Sequence, residues 1–350
     1  MAIFLSVAIA FIAGTVVQYI SRLIFSFNYK KNLSWTIGIF GGISITALGY
    51  FILLQGVQSS PYISPETLEW INSHNAMLIL GCFVFFTVLM QILHWCKVNV
   101  FRIIVLLGTF SLALAFAGND LVNFIGVPLA GYSSYMDYVA NSNGVGIHDF
   151  TMDSLMSSAH TPMIFLFLSG LVMVYALATS KKAQNVIKTS VDLSRQEEGD
   201  EMFGSSALAR TIVRRATATN EFLIKVIPAG LRKWIDNRFN KDEVILENGA
   251  AFDMVRASVN LVLSGLLIII GTTMKLPLST TYVTFIVAMG SSLADRAWGR
   301  ESAVYRITGM FSVIGGWFIT AFVAFTVCAL VTIVCLLYTS DAADDTPCVD

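Results

Sequence analysis

Eight apolar runs dictate what this chain can become. They occupy positions 2–27, 34–55, 76–95, 102–131, 160–179, 252–273, 279–293 and 306–337. Most reach the ~20 residues that a helix needs to cross a hydrocarbon layer about 30 Å thick. Inside that layer no water satisfies a peptide N–H or C=O, so lipid-facing loops and open sheet edges are excluded. Each run therefore reads as a helix. Hydrophobic residues make up 55% of the chain and charged residues 13%, which places it among polytopic membrane proteins. The expected fold is all-α and polytopic, with about eight membrane segments.

The charges between the runs set an expected orientation. Arg22, Lys30 and Lys31 close the first run, Lys97 and Arg102 separate the third from the fourth, and Arg296, Arg300 and Arg306 separate the seventh from the eighth. Glu66, Glu69, Asp137, Asp149 and Asp153 fall in the alternate connections. Basic short loops face the cytoplasm, so the chain is expected to be a multi-pass protein of the plasma (inner) membrane. That orientation puts the polar insert 181–250 in the cytoplasm, where its mixed charges and periodic apolar residues suit short helices on the membrane surface. The insert is either regulatory or a passive linker. The sequon Asn32-Leu33-Ser34 would also lie inside and is discarded.

Several function classes drop out. The formal net charge is −1 and no basic patch is interleaved with aromatics, so nucleic acid is not an expected partner. Cys82, Cys96, Cys328, Cys335 and Cys348 show no Cys-x-x-Cys spacing and read as small hydrophobes. His148, Asp149, Asp153 and His160 match no common metal-ligand spacing, so no metal site is expected. No phosphate-binding glycine loop and no nucleophile elbow occur, and an enzyme is not expected. Met1 leads directly into an apolar helix without a charged n-region or a small-residue cleavage site, which is not a signal peptide.

Two stretches carry chemistry. The first, 115–131, reads A-F-A-G-N-D-L-V-N-F-I-G-V-P-L-A-G, and Asp120 is the only acid between Glu69 and Asp137. A carboxylate at the centre of a membrane helix costs roughly 2.5–3.5 kcal/mol on insertion scales. Gly118, Gly126 and Pro128 are helix breakers, so this segment is expected to be a broken helix with backbone groups free to bind ions. Asn119 and Asn123 lie four apart, on one face. The plainer alternative is a satisfied helix–helix contact. The second stretch starts at Lys275-Leu276-Pro277 and leads into a run of about fifteen residues. Ser279 is a candidate N-cap, and a half-helix beginning there would offer free amides and a positive dipole end to an anion. A re-entrant half-helix is expected; a full helix with a capped outer end is the alternative. In the preceding helix, Asp253, Asn260 and Ser264 share one face, read as inner-end packing first and a permeation-path lining second, and Arg256 is within reach of Asp253 three residues away.

Asn119-Asp120-Leu121-Val122-Asn123 resembles the signature G-A-N-D-V-A-N of the inorganic phosphate transporter (PiT) family, with Ala117-Gly118 standing where the family has Gly-Ala. Pro277-Leu278-Ser279-Thr280-Thr281 resembles that family's second signature, and the insert with segments 21–35 and 294–316 is similar to its long bacterial form. The resemblance implies an inverted-repeat symporter of inorganic phosphate, coupled to sodium or protons and using no other cofactor. It implies that Asp120, Asn119 and Asn123 bind the cation, that the two asparagines also meet the substrate, and that Ser279, Thr280 and Thr281 contact phosphate. Each family repeat supplies one signature of each kind, and this chain holds one of each. The implied layout is therefore a fragment lacking the first signature repeat. Residues 1–96 would end that first repeat and form scaffold. Residues 97–180 and 251–337 would form the two halves of the second repeat, around the insert 181–250. The stretch 338–350 resembles translated sequencing-adapter read-through and is set aside as a non-native tail. Membrane lipid is the implied surrounding, and a homo-oligomer is left open. The rivals are a non-transporting scaffold or channel subunit, and sulfate in place of phosphate.

Expressed alone, the chain is expected to insert into membranes yet accumulate no phosphate in cells stripped of other phosphate transporters, because one of two half-sites is missing. Robust uptake would contradict the one-repeat layout.

Overall fold

The computed structural model describes residues 2–50, 64–142, 144–146, 150–151, 153, 162–196, 204–215, 228–240, 244, 250–274, 276, 278–298 and 300–344. Among them the regular structure is helical throughout and no strand occurs. The helices are α1 (Ala2–Phe25), α2 (Thr36–Gly49), α3 (Pro65–Ser73), α4 (Asn75–Trp95), α5 (Val100–Asn141), α6 (Met163–Thr179), α7 (Lys181–Leu193), α8 (207–215), α9 (Ala229–Arg238), α10 (Met254–Thr273), α11 (Thr280–Ala294) and α12 (Arg300–Asp344). The chain divides into two compact units, one of residues 1–197 with 227–297, the other of 198–226 with 298–350.

All eight expected runs contain helix, but they are unequal as membrane spans. Five helices are long and apolar enough to cross a bilayer, namely α1, α4, α5, α10 and the 302–337 part of α12. A sixth is added if α6 and α7, bent by 65° at a short break, count as one. Helices α2 and α11 are apolar but have 14 and 15 residues. At 1.5 Å per residue α11 rises only ~22 Å. Residues 51–55, expected to finish the second run, lie outside the described residues, as do 345–350 of the tail; α12 runs on as helix to Asp344.

The expected break in the fourth run is absent. Helix α5 continues for 42 residues through Gly118, Gly126 and Pro128. A glycine in a helix costs only ~1 kcal/mol, and a proline removes one ladder bond, here the donor to the Phe124 carbonyl. Neither overcomes a ladder this long. The helix rises ~63 Å, twice the hydrocarbon thickness of about 30 Å, so half of it must lie outside that layer.

In the first unit, the tightest helix pairing joins α1 to α11. A Cβ added at Gly14 would sit 2.7 Å from the Val287 carbonyl oxygen, and one at Gly290 would sit 2.5 Å from the Phe11 carbonyl oxygen. Only glycine at both positions lets the backbones approach this closely, as small residues do in membrane helix pairs. Thr15 adds a hydrogen bond from its hydroxyl to the Gly290 carbonyl at 3.2 Å. Beyond this pair, Phe25 meets Phe40 and Phe101 edge to face and Tyr29 meets Phe101 in the same way, at centroid separations of 5.2–5.4 Å, and these rings fix α1 against α2 and α5.

One end of the first unit is closed by buried charge. Arg22 of α1 has no exposed side-chain surface and holds two carboxylates. Its Nη1 and Nη2 donate to Asp253 Oδ2 and Oδ1 at 2.7 and 3.0 Å, while Nη2 and Nε donate to Asp295 Oδ2 and Oδ1 at 2.6 and 3.0 Å. Gln18 Nε2 donates to Asp295 Oδ1 at 2.8 Å, and Arg256 Nη1 lies 3.8 Å from Asp295 Oδ2. Two guanidinium groups therefore meet two carboxylates, and the buried net charge is zero. The arrangement joins the C-terminal end of α1, the start of α10 and the end of α11 on one side of the unit. Ser26 and Arg296 follow α1 and α11 with positive φ of 56° and 55°. The Ser26 turn brings its carbonyl to Arg22 Nη1 at 3.0 Å. The Arg256–Asp253 side-chain pair that the spacing allows is not formed. Asp253 instead caps α10 by accepting from the Arg256 backbone N–H at 3.2 Å, and the Arg256 guanidinium turns to Gln196 and the Ser194 carbonyl. Capping leaves the Asp253 carboxylate aimed across the helix end, where Arg22 reaches it bidentately.

The second unit packs α8 on the start of α12 through Ala209, Val213, Ala303 and Ile307. Ser206 caps α8 through a bond from the Ala209 N–H at 3.1 Å and accepts from Thr308 Oγ1 at 3.2 Å.

Removing one partner of a buried ion pair leaves an uncompensated charge and costs about 3–5 kcal/mol, whereas an exposed pair contributes ~1 kcal/mol or less. Asp295→Ala should therefore lower the detergent-solubilised unfolding midpoint sharply. Asp236→Ala, which loses the half-exposed contacts to Arg296 and Arg232, should leave it nearly unchanged. Equal midpoints for the two variants would contradict the buried network.

Candidate functional site

The two stretches singled out by their chemistry meet where α5, α10 and α11 converge. Thr280 opens α11 and is 2% exposed. Its hydroxyl lies 3.0 and 2.9 Å from Asp120 Oδ1 and Oδ2, across 160 positions of sequence. A hydroxyl has one proton to give, so it straddles the carboxylate and serves either oxygen. Asn119 Nδ2 donates to Thr272 Oγ1 at 3.2 Å, and Thr272 Oγ1 in turn donates to the Ile268 carbonyl at 2.8 Å. Asn123 Nδ2 donates to Asn119 Oδ1 at 3.2 Å, as the four-residue spacing on a helix allows.

Local sequence explains why α11 begins at this point. Ser279 has extended backbone, and its Oγ accepts from the Tyr282 N–H at 3.4 Å, a long N-cap bond. Thr284 turns its hydroxyl back onto the Thr280 and Thr281 carbonyls at 3.1 Å. The first amides of α11 have no intrahelical acceptor, and the positive end of its dipole faces the Asp120 side of the cluster. Lys275 and Pro277, which the sequence offered as the break before this helix, lie outside the described residues.

Of the six sequence-derived candidates, Asp120, Asn119, Asn123 and Thr280 are linked here by hydrogen bonds or helix adjacency. Ser279 spends its side chain on the cap. Thr281 stands beside the cluster, half-buried. Thr272 belongs to the cluster and was missed, although a signal existed. Asn260 and Ser264 mark a polar four-residue rhythm on α10 that reaches Thr272 two steps later. Arg22 and Asp295 were also missed as a unit. Measured from that ionic end, the site stands ~21 Å along α11 and ~28 Å along α10.

The chemistry of the cluster is that of hard oxygen donors. A carboxylate, two threonine hydroxyls and two asparagine carbonyl oxygens suit an alkali or alkaline-earth cation far better than a soft metal. Among the described residues no group of three or more His, Cys, Asp and Glu could hold a metal ion. His148, Asp149 and His160 lie outside the described residues. In contrast to Asp253 and Asp295, which face guanidinium groups, Asp120 is given the Thr280 hydroxyl and the N-terminus of a helix. Its carboxylate occupies the position that an incoming anion would prefer. No protein-family model, no curated protein and no solved structure matches the chain.

A hydrogen bond to a charged group contributes roughly 1.5–3 kcal/mol, and the half-buried position of Asp120 favours the lower end. Thr280→Val should therefore destabilise the detergent-solubilised protein by about 1.5 kcal/mol, while Thr280→Ser should stay within ~0.5 kcal/mol. Identical unfolding of the valine and serine variants would contradict the bond.

Proposed function

We propose that the chain is part of a cation-coupled symporter of inorganic phosphate, built in the inverted-repeat manner and set in the plasma (inner) membrane with residues 181–250 in the cytoplasm. The observation that carries this reading is the contact between Asp120 and Thr280, which ties the Asn-Asp stretch to the N-terminus of the helix bearing the Ser-Thr-Thr stretch. Asp120, with Asn119 and Asn123, supplies the oxygen ligands for sodium, or takes a proton. Ser279, Thr280 and Thr281, at the positive end of α11, supply donors for phosphate. The two events are linked because they share Thr280. While Asp120 is an unpartnered anion, its carboxylate holds the Thr280 hydroxyl and sits at the positive end of α11. A cation on Asp120 cancels that charge and releases the hydroxyl to the substrate. Cation binding therefore precedes phosphate binding, and each lowers the cost of placing the other in a low-dielectric layer. No further cofactor is needed.

The competing reading is a membrane scaffold or channel subunit in which the same bonds merely join helices, favoured by the good geometry of the Asp120–Thr280 contact. Sulfate in place of phosphate preserves the same logic.

Equilibrium binding of radiolabelled phosphate to the purified chain separates these readings. Sodium or acidification should raise phosphate binding at least tenfold, and Asp120→Asn should abolish the cation dependence while leaving the protein folded. Phosphate binding that is indifferent to both cation and Asp120 would contradict the symporter reading.

A further inference from the structure

The junction of α6 with α7 points to a recognition surface that owes nothing to the transport reading. Helix α6 is apolar over its 17 residues. The next residue, Ser180, leaves the helical region, and its side chain caps α7 by accepting from the Ala183 N–H at 3.3 Å. The following helix departs at 65°. A membrane helix followed after a single residue by so strong a bend delivers its successor to the boundary of the bilayer rather than through it. Tyr175, 72% exposed one turn before the bend, is the residue type that favours that boundary.

The sequence of α7, K-K-A-Q-N-V-I-K-T-S-V-D-L, is amphipathic. At 100° per residue Ala183, Val186, Ile187, Ser190 and Val191 share one side, while Lys181, Asn185, Lys188 and Asp192 share the other, with Lys182 at the flank. The two ends of the helix are treated differently. Its C-terminal end is packed, with Leu193 and Ser194 buried, and it is strapped to the start of α10. Gln196 N–H donates to the Ala251 carbonyl at 2.8 Å, and Arg256 donates to Gln196 Oε1 at 3.0 Å and to the Ser194 carbonyl. Its first two turns leave Val186 and Ile187 at 46% and 64% exposure, beside exposed lysines. A helix tied at one end to a membrane span and at the other to the ionic end of the bundle lies along the membrane surface.

We propose that α7 is a membrane-surface helix that places Val186 and Ile187 in the acyl boundary and reads anionic lipid headgroups with Lys181, Lys182 and Lys188. The occupant follows from charge and continuity. The bilayer already surrounds α6, the uncovered apolar side chains need a dry neighbour, and three ammonium groups above them attract negative surface charge. Because the same helix ends in the residues that hold Arg256, headgroup binding is also expected to steady the strap at 194–196.

Environment-sensitive fluorophores test the proposal on the full chain, its five cysteines replaced by alanine, reconstituted in vesicles. A label at Ile187→Cys should emit as if in a nonpolar environment and be quenched by quenchers attached high on the lipid chains. A label at Asn185→Cys, on the opposite side, should remain water-like. Vesicles containing phosphatidylglycerol should give at least twice the Ile187 quenching of pure phosphatidylcholine vesicles. Changing Lys181, Lys182 and Lys188 together to Gln should remove that difference, and changing them to Arg should keep it. Equal, water-like emission from both labels in anionic vesicles would overturn the surface placement. Equal quenching in both lipid compositions, unaltered by the Gln variant, would overturn headgroup recognition.

Discussion

A guanidinium with no exposed surface is the constraint on which the first unit depends. Arg22 belongs to an otherwise apolar helix, and a buried charge is tolerated only when it is paired and hydrogen-bonded. Two carboxylates from different helices meet that demand, so α1, the start of α10 and the end of α11 are fixed relative to one another. The closeness of α1 to α11 at Gly14 and Gly290 follows the same requirement, since a wider separation would draw Asp295 away from Arg22 and Gln18. A buried ion network of this kind adds little net stability compared with apolar packing. Its effect is on register, because sliding any one helix by a turn strands a charge.

The opposite end of the same helices is built on another principle. Asp120 is met by the Thr280 hydroxyl and a helix N-terminus, groups that accommodate a negative charge without cancelling it. The two sets of acids thus differ in what they leave undone. Asp253 and Asp295 are neutralised within the protein, whereas Asp120 retains a charge that a cation can still claim. On the proposed function this contrast divides labour along the helices, with a fixed ionic end and a reactive polar end ~21–28 Å apart.

The helical class and the apolar runs were legible in the sequence because each is local. Hydrophobic length is read within a window. What escaped were relations between distant residues and contests between local terms. Arg22 reads in sequence as an ordinary basic residue closing a helix, since its partners stand 231 and 273 positions away. Asp253 looked like the natural partner of Arg256 by spacing, yet helix capping claims its carboxylate from the Arg256 backbone instead. Gly118, Gly126 and Pro128 promised a break, but their penalties are small against a ladder of 42 residues. Ser180 has the opposite character. One capping residue between two helices of different polarity produced a 65° bend that no count of hydrophobic residues would place.

The central claim is that a cation on the Asp120 carboxylate releases Thr280 for the anion. Difference infrared spectroscopy of the reconstituted protein, with aspartate carboxylates isotope-labelled and the Asp120→Asn variant as the assignment control, observes that carboxylate directly. The account predicts that sodium, or acid if the proton is the coupling ion, shifts the Asp120 band before any phosphate is added, and that phosphate alone leaves it unmoved. A band that ignores both cations, or that responds to phosphate in their absence, would contradict it.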